Sequence, residues 1–390
     1  MEKINNWTDA FPGNFQWSNA TLVCKGMAPY GAVSLNEIDT IINTLKLTNM
    51  APLDWVNVWK SFAQKNINNA EEYFKNNHQK TAGLHYLRAG NYMYTGERFI
   101  QPGPEKLEIS RIAFDAYHKG FELSHPDIEY IKIPYEETYL PGLFIPANKK
   151  EKSPSPTVLI LNGMDNCKEM SALFAGLEFA KRGFNTLALD GPGQGESLRL
   201  LNIKARYDYE VPASCAYEYL VTRDDVDNKK IAIVGYSFGG YYASRIAAND
   251  NRYCAGIALT SGHWDLYEFQ KNIFDKLKSS SKSTAQSNFQ FQWVVGADSI
   301  DEALEASKAF SVKNNASKIK IPFLITHGEN DRIVPVKNAY KFYENLTTSE
   351  KELRIFTKEE GATEHAHVDD RQLGINYAAD WLEKIIGVIY

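Results

Sequence analysis

Ser237 stands in the run GYSFGGYYASRIAA, with Gly235 and Gly239 two residues to either side. A serine hydroxyl is a weak nucleophile at neutral pH, so it needs a base to take its proton and an acid to orient that base. The run IAIVGY before it reads as a strand, and the residues after it read as a helix. On so tight a strand-to-helix turn a serine adopts a strained backbone, and small neighbours let the turn close with Oγ exposed. The helix N-terminus would then aim oriented N–H groups at developing negative charge. A bare G-x-S-x-G also occurs by chance, as an ordinary serine in a turn; its meaning here comes from the strand and helix that flank it.

For a nucleophile on such a turn the chain order is serine, acid, histidine. After IPFLITH the chain continues GENDRIVP, which sets Asp331 in a strand-end loop before a helix that Pro335 can open. Asp298 and Asp301 fall in the expected lid and Glu329 is close by; Asp331 is favoured because a strand-end loop delivers the acid there, over its plainer reading as a helix-start or turn aspartate. The next strand-like run, ELRIFT, leads into EGATEHAHVDD, which offers His365 and His367. This H-x-H-x-D run also looks like a metal-binding segment. However, Asp370 stands where the next histidine ligand belongs, and no second cluster of His or Cys supplies the missing ligands. Neither a metal nor an organic cofactor is expected, and at this level either histidine can be the base.

The run LDGPGQGES has the glycines of a phosphate loop but neither the G-x-x-x-x-G-K-[ST] lysine nor the G-x-G-x-x-G spacing. Its glycines fit a tight strand-end loop near a pocket. Cys24, Cys167, Cys215 and Cys254 are far apart with no C-x-x-C pair, so they read as small buried residues and not as a disulfide framework. The 43 basic and 48 acidic residues give a net charge of −5 without long runs of either sign, which disfavours nucleic acid and anionic membranes as partners. The N-terminus lacks a signal-peptide pattern and no long apolar run is present, so a cytoplasmic location is expected.

The elements that must position these residues change character near residue 125. Before it, SLNEIDTIINTLKL, LDWVNVWKSFAQKNINNAEEYFKN and KTAGLHYLRAGNYMYTGERF carry apolar residues at helical spacing, which predicts a helical domain over 1–125. After it, IEYIKIPYEETYLPGLFIPA predicts two strands joined by a short turn, followed by a Pro- and Ser-rich connector. TVLILN, FNTLALD, IAIVGY, AGIALT, IPFLITH and ELRIFT then alternate with helical runs, which predicts an α/β core over 126–390 with a mostly parallel sheet covered on both faces. A Lys-, Ser- and Gln-rich, helix-like stretch at about 263–317 interrupts this rhythm and is expected to form a lid.

GYSFGGYYASRIAA, LDGPGQGES, LILNGMDNCKE, YLPGLFIPA and EHAHVDD together resemble the α/β-hydrolases that carry an N-terminal helical domain and cleave carbon–carbon bonds. That group includes the dihydroxypseudooxynicotine hydrolase of nicotine breakdown, fungal pigment enzymes that shorten polyketides, and a polyketide-shortening hydrolase of bacterial anthraquinone biosynthesis. The resemblance runs from about Leu84 onward and implies the α/β-hydrolase fold with Ser237 as nucleophile, Asp331 as acid and His365, the histidine after the glutamate, as base. Ala366 and His367 depart from the family pattern at this point. The backbone N–H groups of Phe238, which follows the nucleophile, and of Met164, in the NGMD turn beside Gly163, are the expected oxyanion hole.

Such a triad would attack a carbonyl and expel a stabilised carbanion, a retro-Claisen cleavage that shortens an aromatic polyketide or diketone. A carboxylesterase, thioesterase or acyl-transfer enzyme would use the same residues, and a non-catalytic binding protein is disfavoured by the complete Ser, Asp, His order. Tyr236 and His263 belong to an aromatic group around the nucleophile and the lid entrance and are candidate substrate contacts, although aromatics there more often pack. The resemblance further implies a pocket glutamate, for which Glu268 is the candidate, and a homodimer built through the helical region.

Overall fold

The computed structural model describes residues 7–149, 153–279 and 289–387, without the side chains of 276–279. Part of the Pro- and Ser-rich connector and the middle of the 263–317 stretch lie outside the described residues. The chain divides into two compact units, Met1–Ile128 and Glu129–Tyr390.

The first unit is built from helices Phe15–Lys25, Leu35–Lys46, Pro52–Lys75, Gln79–Gly96 and Pro104–Ser124. Its core is aromatic: Trp55 and Trp59 are fully buried with ring centroids 5.3 Å apart, and Trp17 packs on Trp55 at 5.0 Å. Glycines let the last two helices approach closely. A Cβ on Gly120 would fall 2.7 Å from the Leu87 side chain, and one on Gly90 would fall 2.8 Å from the Tyr117 ring.

The second unit has the α/β-hydrolase fold, with one eight-stranded sheet: β1 (Glu129–Tyr135), β2 (Thr138–Ile145), β3 (Ser155–Leu161), β4 (Asn185–Leu189), β5 (Val226–Tyr236), β6 (Gly256–Leu259), β7 (Phe323–Gly328) and β8 (Lys351–Phe356). Their order is β1-β2-β4-β3-β5-β6-β7-β8. β2 runs antiparallel to β1 and β4, and every other neighbouring pair is parallel. The Val, Leu and Ile of β3 are wholly buried because helices cover both faces of a parallel sheet, which explains the unbroken apolar runs of the central strands. β5 begins earlier than its apolar run, at Val226, which pairs with Ser155 across an irregular step.

Helices Leu266–Ser279, Phe289–Val295 and Ile300–Ser307 lie between β6 and β7. Among the described residues no helix is long and apolar enough to cross a membrane. Ligand sites in parallel sheets gather beyond the C-terminal strand ends, and the loops leaving β5, β6, β7 and β8 carry the residues considered next.

Candidate active site

Ser237 directly follows β5 and precedes helix Phe238–Asn249. Its φ of 58° and ψ of −120° are strained for a residue with a side chain. The turn closes only because its neighbours lack one: a Cβ on Gly235 would fall 2.0 Å from Gly239 O, and one on Gly239 would fall 2.3 Å from Leu161 O. Ser237 is left partly exposed.

Asp331 lies in the loop after β7. One carboxylate oxygen accepts the N–H groups of Ile333 and Val334, at 2.8 and 2.7 Å. The other faces His365 Nδ1 at 2.8 Å. Burial alone would raise the acid's pKa, but His365 beside it, with His327 and the Val334 N–H, holds it down at about 2. With Nδ1–H donated to Asp331, His365 Nε2 is the acceptor for the Ser237 hydroxyl, 2.7 Å away. The structure thus brings Ser237, Asp331 and His365 into one hydrogen-bonded line.

His367 is separated from that line by the backbone. Ala366 and His367 both have left-handed φ values, 51° and 56°, and the Ala366 N–H is held by Thr260 Oγ1 at 2.9 Å. This turn sends the second imidazole into the interior, where Nδ1 donates to Ala362 O and Nε2 accepts from the Thr326 hydroxyl, each at 2.8 Å. Burial pushes its pKa down to about 4, so the ring is neutral. The two acids that complete the metal-like run are also committed. Asp369 accepts the N–H groups of Thr363 and Glu364 at 2.9 Å, and Asp370 caps helix Arg371–Ile386 through Leu373 N–H.

The other expected site residues fall into different places. A Cβ on Gly163 would lie 3.2 Å from Ser237 Cβ, which sets the NGMD turn against Ser237, with Met164 partly buried. The Phe238 ring stacks on Phe310 at 5.4 Å. Tyr236 is interior, 2% exposed, and its hydroxyl is engaged by Ser171 Oγ at 2.7 Å and by the Asn166 amide at 3.1 Å. His263 is half-buried in the loop after β6, with its ring stacked on Phe269 at 4.0 Å. Glu268 is exposed in the first turn of helix Leu266–Ser279, and its carboxylate makes no hydrogen bond or ion pair among the described residues.

Several supporting residues carry no local sequence signal. His327, at the end of β7, is fully buried, donates from Nε2 to Val334 O at 2.8 Å and accepts at Nδ1 from Ser261 N–H at 3.3 Å. Asn162 donates to Asp190 at 2.7 Å and to Leu189 O at 3.0 Å, anchoring the base of the NGMD turn. Asp369 was visible in the sequence, but its spacing from the histidines suggested a metal ligand instead of a loop clamp.

The sheet order, the strained serine turn and the residues gathered at the strand ends define an α/β-hydrolase. The model of the prolyl oligopeptidase family matches residues 177–388, and the chain belongs to that family. Hydrolase LUC6 of Fusarium sp is 27% identical over 97% of this chain and 98% of its own. The 20-hydroxy-prefusarin hydrolase FUS2 of Gibberella moniliformis is 28% identical over 93% of this chain and 94% of its own. The crystal structure of the 2,6-dihydroxy-pseudo-oxynicotine hydrolase shares the fold, with a TM-score of 0.75 and 23% identity over 93% of this chain and 95% of that one. The protein is a hydrolase related to these fungal enzymes.

Proposed function

We propose that Ser237, His365 and Asp331 form a catalytic triad that cleaves a carbon–carbon bond next to a carbonyl in an aromatic polyketide or diketone. The hydrogen-bonded line from Ser237 Oγ through His365 to Asp331 is the observation that carries the triad. The choice of bond rests on the motif resemblance; the hydrolase class is shared with LUC6 and FUS2 across nearly the whole chain.

His365 takes the Ser237 proton as Oγ bonds to the ketone carbon, and the backbone N–H groups of Phe238 and Met164 receive the oxyanion. When the tetrahedral adduct collapses, the carbon–carbon bond breaks and its electron pair leaves as an enolate. The imidazolium returns its proton to that carbon. Water, deprotonated by His365, then releases the acyl group from Ser237 as a carboxylic acid. The sequence of steps is redox-neutral and involves no cofactor.

An ester or thioester hydrolase would use the same residues. Intact-mass analysis of wild type and Ser237→Ala with aryl 1,3-diketones and with matched aryl esters separates the two. An acyl adduct from the diketone in wild type, absent in the variant, supports carbon–carbon cleavage, and turnover of esters alone sinks it.

We further propose a cytoplasmic enzyme whose helices between β6 and β7 form the lid, and a homodimer formed through the helical unit, which exposes Leu47, Leu53 and Phe74 at 89%, 61% and 50%. Light scattering at the mass of one chain would refute the dimer.

A further inference from the structure

Four histidines lie in or around the triad, His365 among them, and they differ in what their ring nitrogens do. In His365, His327 and His367 both nitrogens are committed to hydrogen bonds. His263 is the exception: its ring makes a face-to-face stack with Phe269 and no hydrogen bond among the described residues. It is nonetheless firmly placed. It sits in the loop leaving β6, the strand between the one that delivers Ser237 and the one that delivers Asp331. Its carbonyl accepts Val312 N–H at 3.1 Å, and the Phe269 stack fixes the ring plane. His365 and Asp331 both lie close enough to bear on its charge, and burial together with His365 pushes its pKa down to about 3. A half-buried polar group on the loop between the strands that deliver Ser237 and Asp331, with no ring hydrogen bond among the described residues, is suited to a partner that arrives with the substrate.

We propose that His263 is a further catalytic residue that donates a neutral imidazole N–H to the second oxygen of a 1,3-dicarbonyl substrate, the oxygen on which the enolate charge appears as the carbon–carbon bond breaks. This inference rests on the triad assigned above and adds the substrate class: two carbonyls, one on each side of the carbon that leaves.

The chemistry selects a neutral donor. His365 is already an imidazolium when the bond breaks, and a second cation beside it would be repelled. A neutral imidazole stabilises the enolate oxygen without competing for the proton that His365 must deliver to carbon. No proton leaves His263 over the cycle, so the balance of the retro-Claisen step is unchanged. An ester substrate expels an alkoxide or phenoxide and has no second carbonyl for His263 to serve.

The experiment compares wild type, His263→Phe, His263→Gln and Ser237→Ala on 1-phenyl-1,3-butanedione and 4-nitrophenyl acetate, with Tm recorded for each. His263→Phe keeps a ring on Phe269 and is expected to lower kcat for the diketone about a hundred-fold, the usual effect of losing one donor to a developing oxyanion, with ester turnover within about threefold. His263→Gln, which restores an N–H donor, is expected to recover at least about a tenth of the wild-type diketone rate. Loss on both substrates alike, or on neither, overturns the role of His263. Wild type that hydrolyses the ester but leaves the diketone intact overturns the carbon–carbon reading itself, and ester turnover that survives Ser237→Ala overturns the triad.

Discussion

Nε2 of His367 lies 2.8 Å from the hydroxyl of Thr326, in the interior, while Nε2 of His365, two residues earlier, lies 2.7 Å from Ser237 Oγ. Two histidines that look interchangeable in the sequence are therefore given different tasks by one left-handed turn. Replacing His365 with Ala removes the group proposed to take the serine proton, and kcat is expected to fall by at least about 10⁴-fold. His367→Ala is expected to keep most of the turnover per folded molecule but to lose about 2–4 kcal/mol of stability, because it opens a cavity and strands the Thr326 hydroxyl and the Ala362 carbonyl. Steady-state kinetics and urea unfolding on both variants check this, and equal loss of kcat in both would show that the site is misassigned.

Asp369 holds the loop that carries His365 through the N–H groups of Thr363 and Glu364. Asp369→Ala leaves Ser237, His365 and Asp331 chemically intact but frees that loop, and a small misplacement of reacting groups is costly. We expect kcat to fall about 10- to 100-fold with KM little changed. A fall in kcat/KM that comes entirely from KM would assign Asp369 to substrate binding instead.

The serine turn tolerates no Cβ at Gly239, where it would meet the Leu161 carbonyl at 2.3 Å. Gly239→Ala is expected to cost more than about 3 kcal/mol and to slow the labelling of Ser237 by a fluorophosphonate. Gly103→Ala is a control, since a Cβ there meets nothing within 4 Å. Similar Tm and labelling rates for the two variants would mean that the turn is looser than the geometry requires.

Acid is expected to destabilise the fold through His367. Its pKa is about 4 when folded, against an ordinary histidine value near 6.5 when unfolded. Between those values the unfolded chain binds a proton that the folded chain refuses, so stability falls as pH is lowered, by about 3 kcal/mol at the limit. His263, also pushed down by burial, adds to the same slope. Urea midpoints measured from pH 7 to pH 4 should decline in wild type and decline less steeply in His367→Gln. Parallel slopes would show that His367 does not carry the effect.

The strands and the serine turn were legible because their signals are local. TVLILN and IPFLITH are unbroken apolar runs because both faces of the sheet are covered, and Ser237 is marked by glycines within two residues. Helix Phe15–Lys25 gave no such signal: Ser18, Asn19 and Thr21 are buried along with Trp17 and Leu22, so it has no polar face to set the period. The early start of β5 at Val226 escaped for a related reason, since Asp227, Asn228 and Lys229 extend the strand beyond its apolar run. Within the site, what the sequence left open is decided by partners far along the chain. Thr260 and Thr326 separate the two histidines, and the inward packing of the Tyr236 hydroxyl depends on Ser171, which no spacing rule connects to it.

The loops that carry Asp331 and His365 are tied to each other apart from the hydrogen bond between those two side chains. Asn330 N–H donates to Thr363 O at 3.1 Å, and Arg332 pairs with Glu364 at 3.0 Å. Asp331 and His365 are therefore held to each other by bonds that do not involve Ser237, which stands on the β5 turn. A shift of that turn would alter the gap between Ser237 and His365 while sparing the gap between His365 and Asp331. The imidazole would thus keep its orientation even in moments when the serine is not yet ready to react.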